Sequence, residues 1–157
     1  MHNLCKTAIT LLSALVLAEN SYKPGAYFEH KTVIIPKDET KFRGGEDAAD
    51  SCDTALVVSD GVGGWAQQGV NPAFFSSKLT RSAIDKHLED PNATAKEILA
   101  AGCEIATKEF QGSATVVSMK IDSANQISTA NLGDCGYTLY HLVEGDRLEA
   151  YFVSETM

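Results

Sequence analysis

The spacing of the hydrophobic residues changes after residue 110, and the change limits the folds that this chain can adopt. From residue 72 to residue 110 the apolar side chains recur every three or four positions, as on one face of a helix. From residue 113 onward they lie in four short runs separated by turn-forming residues: 113–121, 126–131, 137–143 and 147–153. A helical segment followed by consecutive short strands is typical of an α+β fold, in which helices pack on antiparallel sheet.

Two helices are predicted in the helical segment. The first begins at Pro72, because Asn71 is a favourable N-cap and proline suits the first helical position. The second begins at about Thr94, and each helix is expected to bury one face. The residues predicted to face the core are Phe75, Leu79, Ser82 or Ala83, Ile98, Leu99, Gly102, Ile105, Ala106 and Phe110.

Two strands are predicted before the helices. Residues 26–35 are rich in aromatic and β-branched side chains, which favour a strand, and Pro36 ends it. Residues 54–59 (TALVVS) form a short continuous apolar run, as in a strand that is buried on both faces. The polar segment 37–51 has no apolar period and contains paired glycines, so it is predicted to be a loop.

Residues 1–18 contain an apolar run, AITLLSALVLA, after Lys6. The run has the length of a signal-peptide core with a cleavage position before Glu19, so a secretory signal is one interpretation. An organelle transit segment is the second, although such segments are rich in Arg and residues 1–18 contain none. A buried first strand or helix is the third. The run is too short to span a bilayer, so no stable membrane span is predicted.

The composition is typical of one compact globular domain, with 157 residues of which 44% are hydrophobic. The formal net charge of −8 argues against a nucleic-acid partner, because binding to a phosphate backbone requires a basic face. The cysteines form no C-x-x-C pair and lie at no zinc-ligand spacing from a histidine. They are therefore predicted to be small buried side chains: Cys5, Cys52, Cys103 and Cys135.

Asp60 lies at the end of the predicted buried strand and is followed by Gly61, Gly63 and Gly64. A carboxylate in such a place needs a positive partner, and no Lys or Arg is near it in the sequence. A hard divalent cation would meet this need, and Gly61 would allow a backbone carbonyl to approach the same ion. The rival interpretation is a dinucleotide loop, since GVGGWA matches the G-x-G-x-x-A pattern. The acid and the late helix start at Pro72 disfavour that interpretation.

Four motifs follow one another along the chain: GGEDA at 44–48, VSDGVGGW at 58–65, GSATVV at 112–117 and ANLGDCGYTLY at 130–140. Together they resemble the N-terminal half of a metal-dependent serine/threonine protein phosphatase of the PPM (type 2C) family, over residues 26–157. The DGVGGW form is similar to the branch that includes mitochondrial members. The resemblance implies an α+β fold, a partial α-β-β-α sandwich of antiparallel sheets with a helix pair, truncated at its C-terminus.

The resemblance also implies the chemistry of the site. Asp60 matches the catalytic aspartate that bridges two metal ions, and Gly61 matches the glycine whose carbonyl binds one of them. Glu46 matches an acid that reaches a metal largely through water, with Asp47 supporting the site. Asp134 matches a ligand of a third, weaker metal site in some members. The two ions, Mg²⁺ or Mn²⁺, would activate a water for attack on phosphoserine or phosphothreonine in a phosphoprotein substrate.

Val62 occupies the position at which many members of the family have a histidine that serves as general acid. Ser113 and Thr115 match a strand beside the site, where a structural role is expected. The family's C-terminal half supplies further metal ligands, so the resemblance implies that this chain is a fragment or a short isoform whose own activity is open.

Two other functions are compatible with the sequence. One is a non-catalytic, pseudophosphatase-like binding module, and the other is a nucleotide-binding α/β domain. The sequence leaves the compartment unknown: the resemblance suggests the mitochondrion, and the N-terminal apolar run suggests the secretory pathway. The sequence indicates no oligomeric state.

Overall fold

The computed structural model describes residues 11–17, 27–35, 45–144 and 147–155. Within these residues the chain is mixed α+β, as predicted. The strands are β1 (Leu11–Leu17), β2 (Tyr27–Val33), β3 (Asp47–Cys52), β4 (Ala55–Gly61), β5 (Ala114–Ile121), β6 (Ile127–Leu132), β7 (Thr138–Val143) and β8 (Arg147–Val153). The helices are α1 (Pro72–Glu89) and α2 (Ala95–Glu109), and a 3₁₀ turn at Gly63–Gln68 precedes α1.

The central sheet contains four antiparallel strands in the order β3-β4-β5-β6. β4 contains the predicted apolar run except for Thr54, and its first three residues are at most 2% exposed, which confirms its burial. The loop prediction for residues 37–51 is wrong in its last part, because β3 (Asp47–Cys52) pairs with β4 over its whole length. Its sequence, DAADSC, has a low strand propensity, which the pairing with β4 and the burial of Ala48 override.

The helix pair covers one face of the central sheet, and both predicted helix starts are confirmed. The Asn71 side chain accepts a hydrogen bond at 3.2 Å from the backbone N–H two residues later and so caps α1. Thr94 and Glu97 form a capping box at the start of α2. Gly102 allows the helices to approach closely, because a Cβ there would lie 2.6 Å from the Leu79 carbonyl oxygen.

The hydrophobic core lies between the helices and the central sheet. It contains residues from both predicted helix faces and from two strands: Ala55, Val57, Phe75, Leu79, Ala83, Ile84, Leu99, Ala106 and Val116. The core prediction for Phe110 is wrong, since this residue is 37% exposed and its ring lies beside that of Phe74. Phe110 follows the end of α2 in an extended conformation, so helical spacing no longer directs its side chain inward.

Two further antiparallel sheets are formed by β1-β2, which precede the central sheet in the sequence, and by β7-β8, which follow it. β1 contains part of the apolar N-terminal run and pairs with β2 from Leu11 opposite Val33 to Leu17 opposite Tyr27. Residues 1–10 and Ala18 lie outside the described residues, so a targeting role for this segment stays a prediction. Among the described helices, none is both long and apolar enough to cross a membrane.

A buried polar cluster joins the helix pair to the end of the central sheet at which β4 begins. Lys120 is 4% exposed and donates hydrogen bonds to the carbonyl oxygens of Pro91 and Ala93, each at 2.7 Å. His87 Nε2 lies 2.9 Å from Thr54 Oγ1, and within the described residues its buried Nδ1 has no hydrogen-bond partner. Burial, and then the charge of Lys120, lower the pKa of His87.

This cluster is expected to make the stability of the fold depend on pH. The unfolded chain protonates His87 near its ordinary pKa of 6.5, whereas the folded chain protonates it only at lower pH, although the Asp90 charge opposes the shift. The stabilising contribution is therefore present above the unfolded pKa and is lost as the pH falls below it. The midpoint temperature of thermal unfolding should therefore decrease when the pH is lowered from about 7.5 to about 5.5.

The matched variant for this prediction is His87→Gln, which can keep a hydrogen bond to Thr54 but cannot take up a proton. Its unfolding midpoint should change less over the same pH range, as measured by circular dichroism. Equal pH dependence in the two proteins would contradict the role assigned to His87.

Candidate functional site

Side chains from three neighbouring strands lie side by side near one end of the central sheet. Asp47 on β3 is directly opposite Asp60 on β4, and Asp60 is directly opposite Thr115 on β5. Successive side chains of a strand point to opposite faces, and Val57 faces the helices in the core. Asp60, three positions later, therefore points to the other side, which we call the helix-free face.

Asp60 itself is exposed, although Ser59 before it is fully buried. The burial that the sequence argument assumes for this carboxylate is therefore not found, and burial alone does not require a positive partner here. The stronger electrostatic reason to expect a cation here is Asp47, the acid opposite Asp60. Like charges that are directly opposed across two strands destabilise the sheet.

Gly61 is enclosed by backbone atoms at the end of β4. Its N–H donates a hydrogen bond to the Glu46 carbonyl oxygen at 3.1 Å. A Cβ at Gly61 would lie 2.6 Å from that oxygen and 3.0 Å from the carbonyl oxygen of Pro72. Glycine is thus required here by close packing, and a role for its own carbonyl as a metal ligand stays a prediction.

Glu46 lies just before β3 and is 9% exposed. Its carbonyl oxygen also accepts a hydrogen bond from Ser76 Oγ at 2.6 Å, which ties this segment to α1. Its carboxylate lies against Gly63, where an added Cβ would be 2.7 Å from Oε2 and 3.0 Å from Oε1. The glycine loop therefore provides a space that the Glu46 carboxylate occupies.

The turn after β6 brings Asp134 and Cys135 to the same end of the sheet. Gly133 has a φ of 89°, and a Cβ there would lie 2.7 Å from the Thr115 Cγ2 atom. The Cys135 thiol lies 2.7 Å from Thr115 Oγ1. Burial raises the pKa of this thiol most, the hydrogen bond with Thr115 opposes the rise, and the charges of Asp60 and Asp134 raise the pKa further.

The prediction for the cysteines is only partly confirmed by their surroundings. Cys52 and Cys103 pack partly against the hydrophobic core, whereas Cys5 lies outside the described residues. Cys135 is half-buried among polar groups of the candidate site, which the sequence analysis missed. The sequence signal that could have placed Cys135 at the site is its position directly after Asp134.

Two hydrogen bonds to Ser113 attach the glycine loop to the start of β5, and the sequence analysis missed them. The Val62 N–H donates to the Ser113 carbonyl oxygen at 3.0 Å. The Trp65 indole N–H donates to Ser113 Oγ at 2.8 Å. Val62 is 43% exposed, and its side chain carries no group that can donate a proton.

The fold therefore gathers the acids predicted from sequence at one end of the central sheet: Glu46, Asp47, Asp60 and Asp134. Carboxylate oxygens are the ligands that Mg²⁺ and Mn²⁺ prefer, and Gly63 leaves space for one of these carboxylates. Within the part of the chain that the structure describes, no three acidic, His or Cys side chains are close enough to hold an ion by themselves. The donor chemistry fits a divalent cation, and these residues would supply part of its ligand set.

No family model matches the chain. Its sequence is similar to "Probable protein phosphatase 2C 80" of Arabidopsis thaliana, with 34% identity over 110 residues, 67% of this chain and 26% of that protein. It is also similar to "Probable protein phosphatase 2C 1" of Oryza sativa subsp. japonica, with 33% identity over 108 residues, 67% of this chain and 32% of that protein. For "Protein phosphatase PTC7 homolog" of Homo sapiens the identity is 33% over 88 residues, 52% of this chain and 29% of that protein.

The chain thus spans between 26% and 32% of the length of these curated relatives. Among solved structures it is similar to that of the photosystem II phosphatase PBCP, with a TM-score of 0.63 and 25% identity. That match covers 94% of this chain and 50% of the solved one, and it agrees with the antiparallel sheets and helix pair described above. The chain therefore belongs to the protein phosphatase 2C (PPM) family.

Proposed function

We propose that this chain forms part of the metal-dependent active centre of a protein serine/threonine phosphatase. The substrates would be phosphoserine and phosphothreonine in phosphoproteins. The observation that carries the proposal is the pairing of Asp47 with Asp60 across β3 and β4, next to Glu46, in a chain of the phosphatase 2C family. Carboxylate oxygens are the ligands that a hard divalent cation prefers, and these acids would supply part of its ligand set.

Two Mg²⁺ or Mn²⁺ ions are the proposed cofactors. Asp60 and Glu46 are the proposed side-chain ligands, Gly61 would contribute its carbonyl, and Asp47 would support the site. Asp134 would belong to a third, weaker site. When bound, such ions supply an activated water and neutralise the charge of the phosphate. We further propose that the remaining ligands come from parts of the family domain that the match to this chain does not span.

The residues of this chain would shape the site and position the ligands. Gly63 leaves the space in which the Glu46 carboxylate lies, and the pairing of β3 with β4 holds Asp47 beside Asp60. Val62 has no proton to donate, so the leaving alcohol must take its proton from another group.

The two alternatives make different predictions. A non-catalytic, pseudophosphatase-like module would bind phosphoproteins without hydrolysing them. A nucleotide-binding domain would use the N-terminus of a helix directly after the glycines. Here the glycines lie at the start of a six-residue 3₁₀ turn and α1 begins only at Pro72, where the Asn71 side chain already caps the helix, which disfavours a nucleotide.

The first prediction concerns Asp60. We expect a protein that joins this chain to the parts of the family domain with the remaining ligands to hydrolyse an aryl phosphate in a Mn²⁺-dependent manner, and Asp60→Asn to lower this rate at least about 100-fold. The variant should still fold, because Asp60 is exposed and Asn has nearly the same shape. Release of the aryl alcohol measures the rate, and circular dichroism checks the fold.

The matched control is Asp85→Asn, which removes a carboxylate that pairs with Arg81 on the surface of α1. It should leave the rate within about twofold of wild type. Hydrolysis that is independent of Mn²⁺, or equal in Asp60→Asn and wild type, would contradict the proposal. Phosphoprotein binding by a well-folded wild-type protein without hydrolysis would favour the non-catalytic module.

The second prediction compares two neighbouring glycines. A Cβ at Gly63 would lie 2.7 Å from the Glu46 carboxylate, whereas a Cβ at Gly64 would meet no atom within 4 Å. Gly63→Ala should therefore raise the Mn²⁺ concentration needed for half-maximal activity about 10-fold or more, because the carboxylate must move. Gly64→Ala should leave it almost unchanged. Equal effects of the two substitutions would show that Glu46 does not serve the metal site.

A further inference from the structure

The 3₁₀ turn at Gly63–Gln68 needs support from outside itself. It contains six residues, and 3₁₀ segments of more than three or four residues are uncommon because their hydrogen-bond geometry is poor. Its end is closed by Gly69, whose N–H is bonded to the carbonyl oxygen of Ala66. Within the described residues, no side-chain hydrogen bond caps its start at Val62. The start must therefore be held by another part of the chain.

Ser113 provides that support with both of its oxygen atoms. Its carbonyl oxygen accepts the Val62 N–H at 3.0 Å, and its hydroxyl oxygen accepts the Trp65 indole N–H at 2.8 Å. Ser113 lies directly before β5, whose first residue, Ala114, pairs with Gly61 at the end of β4. The two bonds therefore connect the turn to the same strand ends that carry the acids of the candidate site.

The turn in its supported position determines the space that is available to Glu46. Gly63 is its first residue, and a Cβ added to Gly63 would lie only 2.7 Å from the nearest Glu46 carboxylate oxygen. A small displacement of the turn would therefore move the Gly63 backbone, against which this carboxylate packs. Trp65 is two residues from Gly63 and is the member of the turn with a long-range side-chain hydrogen bond.

We propose that Trp65 and Ser113 are a pair of positioning residues for the metal site. Their indole–hydroxyl hydrogen bond holds the 3₁₀ turn in place, so that Gly63 confines the Glu46 carboxylate in the orientation that binds Mn²⁺ or Mg²⁺. The inference rests on the proposed function, because it assigns Glu46 to metal binding. Neither residue belongs to the hydrophobic core cluster, so loss of the bond should alter the site more than the global fold.

The test measures Mn²⁺ binding directly, without substrate, on the full chain. The variants are Trp65→Phe, which keeps an aromatic ring but removes the N–H donor, Ser113→Ala, which removes the acceptor, and the double variant. Ser77→Ala, at an exposed position on α1, is the matched control. Electron paramagnetic resonance of free Mn²⁺ gives the dissociation constant, and thermal unfolding is followed in parallel.

We expect each single variant to bind Mn²⁺ about 2- to 10-fold more weakly than wild type, the range that corresponds to one net hydrogen bond. The double variant should be no weaker than the weaker single one, because both substitutions remove the same bond. Ser77→Ala should bind like wild type. The unfolding midpoints of all variants should stay close to that of wild type.

Trp65 also provides an optical readout, since it is the sole tryptophan of the sequence. Without metal, Ser113→Ala should make the Trp65 fluorescence easier to quench with acrylamide, because the indole is released from its partner. Ser77→Ala should not change the quenching.

Several results would overturn the inference. Lower unfolding midpoints with unchanged Mn²⁺ affinity would show a purely structural role, and additive losses in the double variant would show that the two residues act separately. If wild type binds Mn²⁺ and Ser113→Ala binds it equally well, the positioning role fails while the proposed function stands. If well-folded wild type binds no Mn²⁺, the inference fails, and the hydrolysis assay of Asp60→Asn decides the proposed function separately.

Discussion

The candidate site depends on the register of three antiparallel strands. Because Asp47 pairs with Asp60 and Asp60 with Thr115, polar side chains from β3, β4 and β5 stand next to one another on the helix-free face. A shift of one residue would turn Asp60 toward the helices and turn the core side chains away from them. Val57 and Val116, both fully buried against the helix pair, oppose such a shift. The hydrophobic core on one face thus fixes the site on the other.

The same register brings like charges together, and this links the fold to the proposed chemistry. Carboxylates on directly opposed residues repel each other, and the charges of Asp60 and Asp134 both act on the Cys135 thiol. Lys120, a buried cation of the central sheet, does not relieve this repulsion. It lies five residues from Thr115 along β5, roughly 17 Å away, and donates to backbone carbonyls. A divalent cation at the acids would turn repulsion into attraction, which is the physical basis of the proposed metal site.

Local patterns were enough to predict the helices and most strands, because caps, turn residues and apolar spacing act within each element. β3 escaped prediction, since its residues become a strand only by pairing with β4. The acids of the site could be named from motifs, and Ser113 and Thr115 could be placed beside them, but the contacts that these residues make could not be predicted. The Trp65–Ser113 bond joins residues 48 positions apart, and Cys135 reaches Thr115 only through the pairing of β5 with β6. Such contacts follow from the tertiary fold and leave no signal in local spacing.

The most direct test of the account is the location of Mn²⁺ in crystals of the protein, from an anomalous difference map. The account predicts a manganese peak on the helix-free face, in contact with the Asp60 carboxylate and near the start of β3, which Glu46 directly precedes. A well-ordered site at Asp60 without manganese, or manganese bound only elsewhere on the surface, would contradict it.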